Sequence, residues 1–241
     1  MAEASPKSFD YNAIPVGYYD MVFCRRRGIQ SKWHHLKFKR VAREFESGMR
    51  HLDIACGPGT FISTLSEGIE SVGVDIAEQQ LRYATEHYSG AHRHFQRMEP
   101  GRLPFPDGSF DIASSVELIE HIPSEEAKRL LEECRRVLKP SGKLVITTPN
   151  YQGLWPWIER LLNRFSSVSY EDQHITRYRP GTLRALLEEA GFKEVQVETC
   201  LFSAPFAAAL GWSFSDFIDR IEPAILPRRF GHLLIGTARN P

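Results

Sequence analysis

Apolar residues recur along this chain with two different periods. Seven short segments, most of them rich in apolar residues, predict strands, at about residues 50–54, 71–74, 92–96, 110–114, 143–147, 195–197 and 232–235. Longer stretches with apolar residues at helical spacing predict helices, at about residues 60–66, 78–87, 124–138 and 180–190. Strands that alternate with helices favour a parallel sheet, because each crossover returns the chain to the same edge. We therefore expect an α/β fold with a doubly wound, mostly parallel, seven-stranded sheet and helices on both faces.

Two of the predicted helices carry terminal signals. Ser124 is placed to cap the third helix, and Glu125 and Glu126 fall in its positive first turn. Pro180 opens the fourth helix and Gly191 stops it, because proline suits the first turn and glycine tolerates the left-handed conformation beyond the last. These residues set the expected limits of both helices.

The first strand runs into a glycine turn, and the second strand ends on a carboxylate. Residues 52–61 read LDIACGPGTF, so Gly57 and Gly59 follow the first strand, and Asp75 closes the second. Glycine lets the backbone approach a ligand, and a carboxylate at the next strand end can accept both hydroxyls of a ribose. The sixth position of the loop is Ile62, where a dinucleotide fold would place a third glycine. The pattern favours a nucleoside without phosphates over NAD.

This glycine turn resembles the first motif of class I S-adenosylmethionine-dependent methyltransferases, and Asp75 resembles their second. Three further segments are similar to the ubiquinone and menaquinone methyltransferase-like branch (type 11): 103–111 (LPFPDGSFD), 117–122 (ELIEHI) and 138–144 (LKPSGKL). The resemblance covers about residues 52–192 and leaves both ends of the chain outside it. It implies a Rossmann-like fold, S-adenosylmethionine as cofactor with S-adenosylhomocysteine as product, and an enzyme that methylates a small acceptor.

The resemblance also implies where the cofactor binds. Asp53 should lie under the methionyl ammonium, Asp75 should accept from the ribose, and Glu99 should accept from the adenine amino group in place of the usual Asp. Lys37 is loosely similar to an Arg that binds the methionyl carboxylate; a solvated helix charge is the alternative. The other residues expected to line the cofactor pocket are Ala55, Cys56, Gly57, Gly59, Ile76, Met98, Pro100, Ser115, Val116 and Glu117.

Methyl transfer from a sulfonium depends chiefly on alignment and requires neither a strong acid nor a metal, and we expect no metal site. If the acceptor is a hydroxyl, a base helps to remove its proton, and His174 is the best-placed candidate, with Tyr178 to orient the substrate. The alternative is that His174 packs or caps before the helix at Pro180. Glu120 and His121 are expected to serve packing and capping.

The ends of the chain are expected to hold the acceptor, because ligands of open α/β sheets bind beyond the strand C-termini. We expect a helical cap at residues 1–45 and a cofactor-binding domain at 46–241, with insertions at about 150–178 and 202–230. The insertions are apolar at near-helical spacing, at Leu154, Trp155, Trp157, Ile158, Leu161 and Leu162 in the first and at Phe202, Phe206, Leu210, Phe214, Phe217 and Ile221 in the second. They suggest a lipophilic acceptor, a dimer contact or a peripheral membrane contact, with extra core as the plainer alternative.

Charge and cysteine content narrow the classes of function further. Thirty basic and thirty acidic residues give no net charge, which argues against a nucleic-acid partner. Four widely spaced cysteines without a CxxC pair indicate free thiols, and no apolar run is long enough to span a membrane, so a cytoplasmic protein is expected. An NAD(P)-dependent oxidoreductase and a non-catalytic S-adenosylmethionine-binding regulator remain alternatives. The sequence does not fix the oligomeric state.

Overall fold

A computed structural model describes residues 15–156, 158, 174–225 and 231–241. Parts of the predicted cap and insertions therefore lie outside the described residues, including Trp157, Leu161 and Leu162. The division into a cap at 1–45 and a domain at 46–241 stays a prediction.

Strands and helices alternate through most of the chain. The strands are β1 (Arg50–Ile54), β2 (Glu70–Asp75), β3 (Arg93–Arg97), β4 (Phe110–Val116), β5 (Leu138–Pro149), β6 (Lys193–Cys200) and β7 (Leu233–Arg239). The helices are α1 (Tyr18–Cys24), α2 (Gly28–Val41), α3 (Thr60–Ser63), α4 (Glu78–Tyr88), α5 (Ser124–Val137), α6 (Pro180–Glu189), α7 (Ala204–Ala207) and α8 (Trp212–Ile225), with 3-10 turns at Ala42–Glu44 and Ile119–His121.

The seven strands form one sheet in the order β3-β2-β1-β4-β5-β7-β6. Strands β1 to β5 pair in parallel, and β7 runs antiparallel between β5 and β6. The predicted mostly parallel, doubly wound α/β sheet is confirmed. Because the chain leaves β1 toward β2 on one side and reaches β4 on the other, the strand order reverses between β1 and β4, which is where such sheets bind ligands.

The predicted end signals are confirmed at one helix and wrong at another. At α6, Pro180 opens the helix and Gly191 follows it with φ +89°, as predicted. At α5, the prediction of Ser124 as the cap is wrong, because Pro123 takes the cap position and its carbonyl accepts the amides of Glu126 and Ala127 at 2.9 Å. The fixed backbone angle of proline begins this helix one residue earlier.

The two faces of the sheet are covered by different helices. Leu52 of β1 belongs to the larger apolar cluster, with Leu131 of α5 and Leu187 of α6. Ile112 of β4 belongs to a second cluster with Phe61 and residues of α2. Since side chains alternate along a strand, His51 and Asp53 of β1 project toward the second face.

The N-terminal helix α1 is attached to α3 and α4 through Asp20. This carboxylate is buried and accepts hydrogen bonds from three hydroxyls, Thr60 at 3.0 Å, Tyr83 at 2.9 Å and Tyr88 at 2.6 Å. Thr60 opens α3 directly after the glycine turn, and the two tyrosines belong to α4. The attachment thus joins α1 to α3, which follows the glycine turn, and to α4, which follows β2.

Helix α2 is attached to the second insertion by ion pairs. Buried Asp219 of α8 accepts from Lys39 at 2.9 Å and from Arg40 at 2.5 Å, and buried Lys32 donates to Asp216 at 2.7 Å. A carboxylate between two cations keeps its charge, and these partners hold the pKa of Asp219 below its ordinary value although burial works against them. Helices α2 and α8 are therefore held together by charge.

Candidate functional site

A cavity of about 1100 Å³ lies beyond the C-terminal ends of β1, β2 and β4, covered by α1 and α2. Pockets for one small ligand are typically about 300–1,000 Å³. The cavity is thus large enough for a nucleoside and a second small molecule together. Its position at the strand-order reversal follows from the topology of the sheet.

The wall nearest β2 is organised by Asp75. Its Oδ2 accepts the amide of Gly57 and its Oδ1 accepts the amide of Ala77, both at 2.8 Å. Burial raises the pKa of Asp75, and hydrogen bonds from backbone amides, including those of Ala77 and Gly57, work against that rise. A carboxylate oxygen can accept more than one hydrogen bond, so both oxygens retain capacity for a ligand hydroxyl.

The glycine turn needs its glycines for conformation and for space. Gly59 has φ +77°, and a Cβ there would lie 2.9 Å from the ring of Phe95. Ala55, just before the turn, also adopts the left-handed conformation, at φ +58°. A non-glycine residue in that region carries strain that the surrounding structure must offset.

Asp53 lies in the cavity wall at the end of β1. It is 3% exposed, and its Oδ1 accepts from the Ser114 hydroxyl at 2.5 Å. Burial raises the pKa of Asp53 to about 7, and Asp75 contributes to the rise. A group with that pKa is close to half protonated at neutral pH and would gain from a cation beside it.

An ion pair between a buried lysine and a half-buried glutamate joins α2 to the sheet beside the cavity. The Lys37 ammonium of α2 pairs with the Glu117 carboxylate at the end of β4. Burial pushes the pKa of Glu117 upward, but Lys37, with smaller contributions from His34 and His174, holds that pKa below its ordinary value. Glu117 itself adopts φ +55°, a strained conformation next to the cavity.

Glu120, His121 and His174 line the same cavity and form a polar cluster with Tyr151, which contacts His174 but does not line the cavity. The Tyr151 hydroxyl and His174 Nδ1 are 2.6 Å apart. One potential metal-ligating atom from each of Glu120, His121 and His174 lies within 4.8 Å of the other two. Among the described residues, no hydrogen bond of ordinary geometry reaches either Glu120 oxygen. Burial, together with the charge of Glu117, raises the pKa of Glu120 to about 8. This cluster could take a proton or hold a divalent cation.

Hydrogen bonds of Thr176 to backbone carbonyls bring His174 close to Glu120 and His121. Thr176 donates its amide to the carbonyl of Glu120 at 3.0 Å and its hydroxyl to the carbonyl of Ile122 at 2.8 Å. These bonds hold the segment after His174 against the 3-10 turn that carries Glu120 and His121. The two residues that we expected to serve packing and capping therefore face the cavity as well.

The structure brings most of the predicted site residues to one cavity. Those that line it are Asp53, Ala55, Cys56, Gly57, Asp75, Ile76, Met98, Pro100, Val116, Glu117, Lys37 and His174. Four predicted residues are not among the lining residues, namely Gly59, Glu99, Ser115 and Tyr178. The role of each lining residue toward a ligand stays a prediction.

Two of the four departures have clear physical reasons. The Glu99 side chain is 73% exposed and faces Arg97 at 3.8 Å, because it lies in a surface turn after β3. Tyr178 is 3% exposed and packs in the larger apolar cluster, and its carbonyl accepts the amide of Tyr151. Tyr178 therefore lies in the apolar core outside the cavity lining and contacts the segment that carries Tyr151.

Sequence reasoning misses two residues of the site region. From the sequence, Tyr151 is only part of the turn after β5, and His51 is only the second residue of the first predicted strand. Each becomes visible through a partner on another element, His174 for Tyr151 and Ser114 for His51. A histidine inside a buried strand is the one signal that the sequence offers.

Comparison with known proteins starts from a family model described as a methyltransferase domain, which matches residues 26–197. The ubiquinone biosynthesis O-methyltransferase of Idiomarina loihiensis is 27% identical over 166 residues, which span 65% of this chain and 66% of that protein. The demethylmenaquinone methyltransferase of Listeria monocytogenes is 28% identical over 188 residues, 67% of this chain and 78% of that protein.

Solved structures give the same fold. A methyltransferase from Thermotoga maritima covers 92% of this chain and 95% of its own, with a TM-score of 0.66 and 19% identity. Phosphoethanolamine N-methyltransferase 2 of Haemonchus contortus, in complex with S-adenosylmethionine, covers 92% of this chain and 56% of its own, with a TM-score of 0.62 and 18% identity.

Among the helices that the structure describes, none has the length and apolar character needed to cross a membrane.

The raised pKa of Asp53 predicts a pH-dependent effect of Asp53→Asn on stability. The folded protein binds this proton more tightly than the unfolded chain, whose Asp pKa is about 3.9, so ionisation of Asp53 lowers the free energy of unfolding as pH rises between those values. The stability of Asp53→Asn relative to the parent should therefore increase from about pH 4 to about pH 7 and then level off. Urea unfolding at several pH values measures this difference.

Asp111→Asn is the matched control, with the opposite sign. Burial works to raise the pKa of Asp111. Lys139 and Arg50 stabilise the carboxylate, so that pKa lies below its ordinary value. Its contribution to stability is present above the unfolded pKa and is lost as pH falls. A pH-independent difference for Asp53→Asn would contradict the assignment of a raised pKa.

Proposed function

This chain belongs to the methyltransferase-domain family and is an S-adenosylmethionine-dependent methyltransferase, and we propose that its acceptor is a hydroxyl group on a lipophilic ring of the quinone class. The observation that carries the proposal is the polar cluster around His174, which lies in a cavity with an otherwise largely aromatic and aliphatic lining. Trp33 and Trp155, 5.4 Å apart, form part of that apolar wall with Phe206. The names of the relatives from Idiomarina and Listeria support the same class of acceptor.

In this proposal the cofactor occupies the β1–β2 side of the cavity. Asp75 accepts the ribose hydroxyls while it holds Gly57 and Ala77, and Asp53 pairs with the methionyl ammonium. Met98 packs against the adenine. Lys37 is left to fix Glu117 rather than to bind the methionyl carboxylate directly, because its ammonium is already paired.

The acceptor occupies the side of the cavity near His174. Its hydroxyl oxygen attacks the methyl carbon, the carbon–sulfur bond breaks, and its electron pair stays on sulfur, which becomes neutral in S-adenosylhomocysteine. The hydroxyl proton passes to His174 Nε2. His174 donates Nδ1–H to the Tyr151 oxygen in this arrangement, so Nε2 carries no proton beforehand.

The alternatives have less support. An NAD(P)-dependent oxidoreductase would require a loop suited to a pyrophosphate, whereas Ile62 of this loop is fully buried in an apolar cluster. A non-catalytic regulator would have no need for a buried proton acceptor next to the cofactor. Neither alternative is favoured by the methyltransferase-domain match.

We further propose a peripheral membrane contact through α8. This helix buries Ser215 and Asp219 and exposes Phe214 and Phe217, which are 44% and 55% accessible. Leu210 before the helix is 81% exposed. A helix with its polar side inward and its aromatic side outward is typical of an element that rests on a lipid interface. Its neighbour Phe206 lines the cavity, so a lipophilic acceptor would have a short path from the membrane.

The proton-acceptor role predicts a loss of turnover in His174→Gln. We expect kcat at saturating acceptor to fall by about 10²–10⁴, with the KM for S-adenosylmethionine unchanged, and Tyr151→Phe to cause a smaller loss. The assay follows tritiated methyl transfer to a catechol-type ring with and without an isoprenoid tail. Transfer to an amine acceptor in place of the ring hydroxyl would contradict the proposal.

A repeat of this assay in the presence of a chelator separates the two chemical roles of the cluster. Activity that is lost with the chelator and restored by Mg²⁺ or Zn²⁺ would assign Glu120, His121 and His174 to a cation, against the role of His174 as base.

The ribose contact predicts that Asp75→Asn weakens cofactor binding. An amide has one acceptor oxygen, so the variant side chain cannot hold both loop amides and the ribose, and the affinity for S-adenosylmethionine should fall by about 1–3 kcal/mol. Isothermal titration calorimetry measures it, with NAD as the competing ligand. Glu99→Gln is the control and should leave the affinity unchanged, because its side chain is exposed. Tighter binding of NAD than of S-adenosylmethionine would refute the cofactor assignment.

The membrane contact predicts that Phe214→Ser with Phe217→Ser reduces vesicle binding at least about tenfold. Flotation with vesicles of phosphatidylcholine and phosphatidylglycerol measures it, and Val16→Ser, which removes another exposed apolar side chain, is the control. Sedimentation velocity on the same variants tests the competing explanation. A dimer that the double variant dissociates would assign this face to a contact between two copies.

A further inference from the structure

A line of four buried polar side chains crosses the sheet beneath the cavity. The Asp53 Oδ1 and Ser114 Oγ atoms are 2.5 Å apart, Ser114 Oγ and His51 Nε2 are 2.8 Å apart, and His51 Nδ1 and Ser71 Oγ are 3.1 Å apart. Each of the four residues is 3% exposed or less. Only Asp53 lines the cavity, so the line leads from the ligand site into the interior.

The register of the sheet produces this line. His51 and Asp53 are two residues apart on β1 and therefore share a face. Ser71 of β2 pairs with His51, and Ser114 of β4 pairs with Asp53. Two neighbouring strands thus place one hydroxyl beside His51 and one beside Asp53.

The hydrogens along the line must all point the same way. Burial lowers the pKa of His51 to about 3, so the ring is neutral and has one N–H and one bare nitrogen. When Asp53 is ionised it can only accept, so Ser114 donates to it, His51 donates Nε2–H to Ser114, and Ser71 donates to Nδ1. A proton on Asp53 Oδ1 reverses all three bonds and moves the ring proton to Nδ1.

We propose that His51 is a positioning residue for Asp53, whose Nε2–H tautomer, acting through Ser114, holds Asp53 as the oriented carboxylate that receives the methionyl ammonium. The proposal rests on the proposed binding of the cofactor by Asp53. In this proposal, binding of the ammonium to Asp53 is coupled to the tautomer of His51, which lies two residues earlier on β1. His51 touches neither cofactor nor acceptor.

The competing explanation is that His51 only fills space. Its ring meets Phe45 edge-on at 4.7 Å and Phe61 at 6.0 Å between ring centres. A packing residue would also be buried, and its loss would also lower stability. It would, however, have no reason to change tautomer when a ligand binds on the far side of Ser114.

The test is the tautomer of His51, measured by long-range ¹H–¹⁵N correlation on the full chain with ¹⁵N-labelled histidine. Nine histidines contribute signals, and the spectrum of His51→Gln identifies the one that belongs to His51. Saturation with S-adenosylhomocysteine at pH 6 should convert His51 to the Nε2–H form. An unchanged tautomer in a sample shown by calorimetry to be saturated would overturn the proposal.

A ligand-free arm keeps the inference separate from the proposed function. Between pH 5.5 and 8.5 the tautomer should move from Nδ1–H toward Nε2–H as Asp53 ionises, and a constant tautomer would also overturn the proposal. The other ionisable groups near Asp53 are Asp75 on β2 and the Cys56 thiol after β1, with the Lys37–Glu117 pair also on the cavity wall. If S-adenosylhomocysteine fails to bind while the pH response is seen, the proposed function fails and the coupling stands.

Three variants give an independent readout. His51→Leu should weaken cofactor affinity about tenfold with kcat at saturation little changed, because it removes the donor that orients Ser114. His51→Gln should restore the affinity to within about threefold, since an amide can donate to Ser114 and accept from Ser71. Ser114→Ala should match His51→Leu. Equal affinities of the Leu and Gln variants, with equal melting temperatures, would assign His51 to packing alone.

Discussion

The site depends on one carboxylate that is shared between two loops. Asp75 accepts the amide of Gly57 from the turn after β1 and the amide of Ala77 from the turn after β2. Without that shared acceptor, two half-buried backbone donors would lose their partner, and this contact between the glycine turn and the neighbouring strand would be lost. The left-handed residues at Ala55 and Gly59 can adopt their conformations because this contact holds the turn between them. Cavity, cofactor wall and the entry to α3 are all positioned by this arrangement.

Three acids of the cavity lining, of which Asp53 and Glu120 are buried and Glu117 is half-buried, are accommodated differently. Asp53 has a hydroxyl donor and a raised pKa, Glu117 has a lysine, and Glu120 has a raised pKa and no hydrogen-bond donor of ordinary geometry among the described residues. A positively charged ligand would be stabilised by the first, and a proton by the third. The electrostatic pattern therefore suits a reaction in which a cation enters and a proton is released.

Local patterns predicted the parts of the structure that depend on local physics. The strands, the glycine turn and Asp75 were visible because apolar periodicity and turn chemistry act over a few residues. Other predictions failed where a neighbouring residue or a long-range contact decided the outcome. Ser124 lost its capping role to an adjacent proline, Glu99 turned outward into a surface turn, and Tyr178 was taken into the core. Tyr151 and His51 were missed because their partners are distant in sequence, and a single sequence contains no signal for such pairs.

Helix α8 has two functions in this architecture that cannot vary separately. Its outward face presents Phe214 and Phe217, while its inward face supplies the Asp219 carboxylate that holds α2 through Lys39 and Arg40. Within the proposed function, the insertion that would receive the acceptor also carries the carboxylate that holds α2 beside the cavity. A substitution in α8 that alters acceptor access could then also alter the hold on α2, which would couple acceptor specificity to the binding of the cofactor.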